Sequence, residues 1–408
     1  MQTKVVGLVG LLAAYSMSSA RADDEQARAK ADLASLGDAE ARVAPDVGRH
    51  LASTNPYEIL TGLSLAADDR ELVAPALLPR IVELVDDTAP RMTRECLQLL
   101  AEGDPFLHGS TAEGDVNTYG SRAEACRKHA WPSISQLAVR VLVASKEPNT
   151  VARLVVARVV AHPGSADGLA AAVHGSAALG EDVAVELAHT TDATKQRALL
   201  RLALQDYNLL PAKEIAAATA IAASGAPAVR ARATTVLLLA RDEATIERAS
   251  AQLESMLDAQ VIADLVHLGY YAKPLVPALT KRLQHGSDVG AVLAVMAAIG
   301  PQARAALPAM LVRLREHAEG AALAIAKVDG NSPATRRALL DAATTPMALA
   351  DVVSALAAAN VKLALDERQR LDRIFDRLCE VPWRKAEAQG PWPSSPLGCD
   401  DVKLDALP

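Results

Sequence analysis

Two segments of this sequence, 31 residues apart, share the same pattern of residues: a glycine, a short predicted turn, and then a proline. Gly300 aligns with Gly269, and Pro308 aligns with Pro277. Glycine ends a helix readily because it adopts positive φ without steric cost. Proline is tolerated in the first turn of the next helix, where few amide donors are needed for intrahelical bonds. The spacing therefore predicts short helices joined at regular intervals.

A third copy of the proline segment lies far upstream, at Pro75–Ile81, and shares the pattern Pro-Ala-[Leu/Met]-x-x-Arg-[Leu/Ile]. This alignment predicts that Pro75 takes the place of Pro277 and Pro308. Repetition over such separations indicates a repeat architecture. Further helices are predicted from apolar periodicity and from Ser-Pro or Thr-Pro starts. They cover Val151–Val160, Lys195–Leu204, Val229–Ala240, a helix starting at Ser332-Pro333, and Pro346–Ala358.

A helix that ends in Leu/Ile-Gly and is followed by Ala-x-x-x-Val/Leu-Pro-x-Leu resembles the bacterial HEAT repeat. The resemblance is clearest at residues 259–318 and weaker at residues 56–87. It implies a right-handed α-solenoid of about ten antiparallel helical pairs over residues 23–380. A final helix with an apolar stripe of Leu371, Ile374, Phe375 and Leu378 is predicted to cap the stack.

Composition agrees with an all-α chain. Half of the residues are apolar but only 3% are aromatic, and no sustained period-2 alternation appears. The formal net charge is −7. Proteins that bind nucleic acid usually carry a basic surplus along one face, so neither nucleic acid nor an anionic membrane is expected as a partner.

The first 22 residues have the form of a signal peptide. Lys4 is followed by the apolar run Val5–Met17 and by Ala20-Arg21-Ala22, an Ala-x-Ala cleavage site. Thirteen apolar residues are too few to span about 30 Å of hydrocarbon. We expect a secreted or periplasmic chain with no membrane insertion after cleavage near Ala22. The alternative is that this segment is an ordinary first helix.

Four cysteines fall into two neighbouring pairs, Cys96 with Cys126 and Cys379 with Cys399. Export to an oxidising compartment favours disulfides with this connectivity. The alternative is a zinc site, although no Cys-x-x-Cys or Cys/His cluster has the usual ligand spacing. The pairs bracket an irregular insert at residues 103–132 and an irregular C-terminal tail at residues 381–408.

The scarce aromatic residues concentrate near these irregular segments and in one turn between helices. Binding surfaces use aromatic side chains on irregular backbone, but such rings also dock a loop onto the rest of a protein. Both interpretations stay open here. The candidates for contact with a partner are Phe106, His108, Tyr119, Trp131, Tyr270 and Tyr271.

No catalytic motif is present: the sequence contains no nucleophile elbow, phosphate-binding glycine loop or zincin signature. We therefore predict a monomeric, non-enzymatic scaffold that binds a protein or peptide and needs no cofactor or metal. One alternative is an enzyme, because some HEAT-like folds are DNA glycosylases or resemble bilin lyases. Another is a purely structural component of the cell envelope.

Overall fold

A computed structural model describes residues 24–37, 39, 46–89, 91–102, 126, 131–173, 178–205, 210–380, 399 and 401–408. The described chain is all-α, as predicted, and its one β contact is an isolated bridge between Arg91 and Trp131. The predicted signal peptide lies outside the described residues, as do most of the insert and most of the tail. The chain divides into two compact units, Met1–Glu186 and Leu187–Pro408.

The first unit is built around a central helix, α6. Its start is set by a reciprocal cap, in which Ser133 Oγ accepts from the Gln136 amide and Gln136 Oε1 accepts from the Ser133 amide. Helix α6 packs against α3 and α4, and its residues Ile134 and Ala138 are fully buried. The helices that begin in this unit are α1 (residues 24–37), α2 (Val47–Ala52), α3 (Pro56–Asp68), α4 (Leu78–Leu84), α5 (Arg94–Glu102), α6 (Ile134–Val143), α7 (Pro148–Ala161), α8 (Ala166–Ala170) and α9 (Leu179–His189).

The described part of the second unit contains twelve α-helices of 9 to 13 residues each. Of the five helices predicted from periodicity or from a proline start, four lie in the second unit and are confirmed there. The fifth, at Val151–Val160, lies in the first unit and is also confirmed. The helices are α10 (Ala193–Ala203), α11 (Ala212–Ser224), α12 (Pro227–Val236), α13 (Glu243–Leu253), α14 (Ala259–Leu268), α15 (Val276–His285), α16 (Val289–Ile299), α17 (Leu307–Arg315), α18 (Ala321–Asp329), α19 (Pro333–Ala342), α20 (Pro346–Ala358) and α21 (Leu365–Phe375).

The two aligned glycine segments follow the same backbone course. Helix α14 ends at Gly269 with φ 54° and ψ −119°, and α16 ends at Gly300 with φ 68° and ψ −140°. Each glycine starts a seven-residue 3-10 turn. Pro277 and Pro308 then occupy the second position of the following α-helix, where a missing amide costs no intrahelical bond. The predicted roles of both glycines and both prolines are confirmed.

The upstream copy keeps the pattern but begins its α-helix later than the other two copies do. Pro75 opens a 3-10 turn, and Pro79 occupies the second position of α4. Pro79, and not Pro75, therefore has the position within its α-helix that Pro277 has in α15. The α-helix thus begins later in this copy, although Arg80 makes the contacts that Arg313 makes. In both copies the arginine Nε donates to a carbonyl about 30 residues upstream, and Nη1 pairs with the glutamate three residues on.

Helices of the second unit from α14 onward pack in two layers. Helices α14, α16, α18 and α20 lie side by side in that order, and α15, α17, α19 and α21 do the same. Neighbouring members of the two layers also contact each other, as α17 contacts α18. The last α-helix, α21, buries Leu371 and Ile374 of the predicted stripe, whereas Phe375 is half-buried and Leu378 lies half-buried in the π-helical turn that follows.

Candidate functional site

The four cysteines form two disulfides with the predicted connectivity. The Cα atoms of Cys96 and Cys126 are 5.4 Å apart, and those of Cys379 and Cys399 are 5.7 Å apart. Because each sulfur is bonded to another sulfur, none of the four is free to act as a zinc ligand. Among the described residues, no group of three or more His, Cys, Asp or Glu side chains could hold a metal ion.

Three of the predicted contact residues, Phe106, His108 and Tyr119, lie outside the described residues. Trp131 is described, and it is half-buried against α3. Its ring meets the Tyr57 ring edge to face at 6.0 Å, and its amide donates to the Arg91 carbonyl at 2.8 Å. Trp131 thus holds the end of the insert on the first unit, which favours the docking interpretation for this residue.

The adjacent tyrosines lie in the 3-10 turn that follows α14. The rings of Tyr270 and Tyr271 meet edge to face at 5.9 Å. Tyr270 is 57% exposed, whereas Tyr271 is half-buried. One aromatic side chain is therefore presented to solvent at this turn.

Two ionisable groups in the described residues have clearly shifted pKa values. Burial raises the pKa of the Tyr57 hydroxyl to about 12, the Asp32 carboxylate adds to the rise, and Arg91 opposes it. The side-chain hydrogen bond from Thr245 lowers the pKa of Asp242, which caps the start of α13. Both groups serve local structure, since the first is buried in a core and the second is a helix cap.

The two helix layers of the second unit expose different surface chemistry. We call the exposed residues of α14, α16, α18 and α20 the low-charge face. Since the opposite side of these helices packs on the second layer, the exposed residues share one side. Of these thirteen residues only two, Lys327 and Asp351, carry charge. The thirteen are Ala259, Gln260, Ala263, Val266, Gly290, Ala291, Ala294, Leu323, Lys327, Met347, Asp351, Ser354 and Ala358.

The other layer exposes a charged surface. Eight of the seventeen exposed residues in α15, α17, α19 and α21 are Lys, Arg, Asp or Glu. The eight are Lys281, Arg315, Arg337, Asp341, Asp366, Arg368, Asp372 and Arg373. Because both layers contact water, the low charge of the first layer is not a general property of this protein's surface.

A groove of about 310 Å³ crosses the low-charge face between α18 and α20. Small side chains of α20, including Ala348 and Ala355, leave this space open. Leu323 and Met347 line it and are 38% and 61% exposed. We call this feature the α18–α20 groove. It offers apolar contact area with one carboxylate, that of Asp351, in its lining.

One helical run, Val289–Arg315, is long and apolar enough by length and composition to cross a membrane, with a mean hydropathy of 1.4. It consists of α16, the 3-10 turn at Gly300 and α17. Within the second unit its residues Val292 and Met296 are fully buried. Packing between helices therefore accounts for part of its apolar character, since 44% of the apolar 18-residue window is buried.

Comparison with known proteins adds no further constraint on this site: no protein family, curated protein or solved structure matches the chain. The low-charge face was missed by sequence reasoning. The sequence feature that corresponds to it is the alternation of alanine-rich helices with charged helices along the chain. This alternation predicts a surface only when the solvent-facing positions of each helix are known.

Proposed function

We propose that this chain is an exported, non-enzymatic scaffold similar to HEAT-repeat proteins, and that it binds a protein or peptide partner on the low-charge face. The observation that carries the proposal is the contrast between the two layers, with two charged residues among thirteen exposed on one and eight among seventeen on the other. Charged groups are depleted in the centres of protein interfaces because they must lose their hydration there. A surface of Ala, Val, Leu and Met avoids that cost.

Contacts between residues about one repeat apart support a solenoid of stacked helical pairs. Arg313 Nε donates to the Leu283 carbonyl at 2.9 Å, across 30 residues of sequence. Arg336 Nε pairs with Glu367 Oε2 at 2.7 Å, across 31 residues. In the first unit, Arg80 Nε donates to the Leu51 carbonyl at 3.1 Å, across 29 residues. Solenoids show this pattern because each repeat contacts mainly its neighbours.

Export is proposed from the form of residues 1–22 and from the two disulfides. Disulfides persist in oxidising compartments and are rare in the reducing cytosol. In such a compartment a mature chain of net negative charge meets other envelope proteins rather than nucleic acid. The partner is therefore expected to be a protein or a peptide.

A capture experiment with matched surface variants tests the proposal. The bait is the mature chain, cross-linked in the envelope of its native host, and the readout is the set of co-purifying proteins. Ala294→Glu places a charge in the middle of the low-charge face, and Ala334→Glu places the same charge on α19 in the other layer. Both residues are exposed in helices, so circular dichroism is expected to show unchanged folding for both variants.

We expect the wild type and Ala334→Glu to capture the same partner, and Ala294→Glu to lose it. Retention of the partner by Ala294→Glu would show that another surface binds it. Absence of any cross-linked partner from all three baits would support the alternative of a structural spacer.

A further inference from the structure

We infer that the α18–α20 groove selects a partner segment carrying one large apolar side chain next to a lysine or arginine. This inference rests on the proposed function, since it assigns the partner's chemistry at one place on the low-charge face. The occupant is thus a peptide segment with an apolar anchor and an adjacent cation.

The apolar anchor is argued from the groove's lining and size. Its floor includes Val352 and Ala355, which are buried in the second unit, and its rims carry the exposed side chains of Leu323 and Met347. A volume of about 310 Å³ exceeds what one large aliphatic or aromatic side chain fills, so the anchor enters without displacing the floor. Its entry would bury apolar surface on both molecules, which is favourable.

The cation is argued from the charges around the groove. Asp351 lies one helical turn after Met347, is exposed, and forms no ion pair with any described residue. Lys327 is not part of the groove's lining, and its Nζ donates to the carbonyl of Ala358, about two helical turns after Asp351, at 2.6 Å.

Charges at the end of α17 and in the connector before α18 balance each other, because the exposed Arg315 offsets Glu319. Glu316 is paired with Arg313, and the exposed Glu319 makes no ion pair with any described residue. His317 also lines the groove. Asp351 is the one Asp, Glu, Lys or Arg side chain in the groove's lining, so the partner group that complements the groove is a cation.

Peptide binding to the full mature chain tests this inference. The probes are two fluorescein-labelled helical peptides that present Leu one turn from Lys or one turn from Glu, and a third in which Ser replaces Leu. Fluorescence anisotropy gives their dissociation constants at low and at high salt. The variants are Asp351→Lys and, as the matched control, Asp372→Lys, which reverses an exposed carboxylate on α21 in the other layer.

The Lys peptide is expected to bind the wild type about two- to fivefold more tightly than the Glu peptide, because the ion pair is exposed. High salt should reduce this difference. Asp351→Lys should reverse the preference, Asp372→Lys should keep it, and the Ser peptide should bind weakly or not at all.

Equal binding of the Lys and Glu peptides, or of the Leu and Ser peptides, would overturn the inference. So would failure of all three peptides to bind. Neither result would decide the proposed function, which is tested separately by the capture experiment with Ala294→Glu. If that variant still loses its partner, the low-charge face binds by another part of its surface.

Discussion

Arg232 and Asp264 form a two-point ion pair inside the second unit. Arg232 Nε lies 2.9 Å from Asp264 Oδ2, and Arg232 Nη2 lies 3.1 Å from Asp264 Oδ1. Their side chains are 9% and 4% exposed. Arg232 Nη1 also donates to the Arg197 carbonyl, and Gln260 Nε2 donates to the Asp264 carboxylate. The cluster ties α10, α12 and α14 together.

Breaking this buried pair should be costly. Asp264→Asn leaves the Arg232 guanidinium buried without its counter-charge, and we expect the free energy of unfolding to fall by about 3 to 5 kcal/mol. The control is Arg304→Met, which removes a pair to Asp329 whose arginine is 68% exposed, and should cost about 1 kcal/mol or less. Urea unfolding followed by circular dichroism measures both.

The double variant Arg232→Met/Asp264→Leu should recover much of the stability that Asp264→Asn loses, because it removes both buried charges. If Asp264→Asn and Arg304→Met have equal effects, the buried pair does not contribute more than the exposed one.

Gly300 should not tolerate a side chain, although space is available for one. An added Cβ would meet no atom within 4 Å, but φ is 68°, a region that L-residues rarely adopt. We expect Gly300→Ala to destabilise the second unit by about 1 to 3 kcal/mol. Gly290→Ala, in the same helix at ordinary φ and with only the Glu319 carbonyl nearby at 3.8 Å, should be neutral or stabilising. Thermal unfolding of the two variants separates backbone strain from crowding, and a stable Gly300→Ala variant would rule out the strain.

The disulfides should contribute to stability mainly by restricting the unfolded chain. The sequence separations are 30 residues for Cys96–Cys126 and 20 for Cys379–Cys399. Loop-closure entropy for such separations predicts a loss of about 3 to 4 kcal/mol for each pair replaced by serine. Denaturant titration of the two double-serine variants measures the losses. Mass spectrometry of unreduced peptides should recover only these two linkages, and free thiols or a different pairing would contradict the structure.

The first unit should lose stability at alkaline pH through Tyr57. Its hydroxyl has a pKa of about 12 in the folded chain, against an ordinary value of 10.0, so the folded state keeps a proton that the unfolded state releases. Stability is then fully present below about pH 10 and falls by about 1.4 kcal/mol per pH unit between pH 10 and 12. Denaturant midpoints from pH 9 to 11.5 measure the slope. Tyr57→Phe should remove the loss of stability between about pH 10 and 11.5, whereas Tyr270→Phe, at an exposed ring, should keep it. Identical slopes for both variants would show that the Tyr57 hydroxyl does not cause the loss.

Local structure could be predicted well because it depends on residues close together in the chain. Pro346–Ala358 was predicted with the bounds that the structure has, since Thr345 caps its start and a proline occupies its first position. The positive φ of Gly269 and Gly300 follows from the same local logic. The cysteine pairing also followed from spacing and compartment.

What the sequence alone determined is therefore the helical class, several of the helix boundaries, the glycine turns and the disulfide partners, because each depends on backbone geometry or spacing along the chain. Tertiary structure alone decided the start of α4 at Leu78, the contact of Trp131 with Tyr57, and the Arg232–Asp264 pair. It also decided which sides of α14, α16, α18 and α20 face water, and so created the low-charge face and the α18–α20 groove. The physical reason is that these features join residues distant in sequence, and their partners are selected by packing between helices.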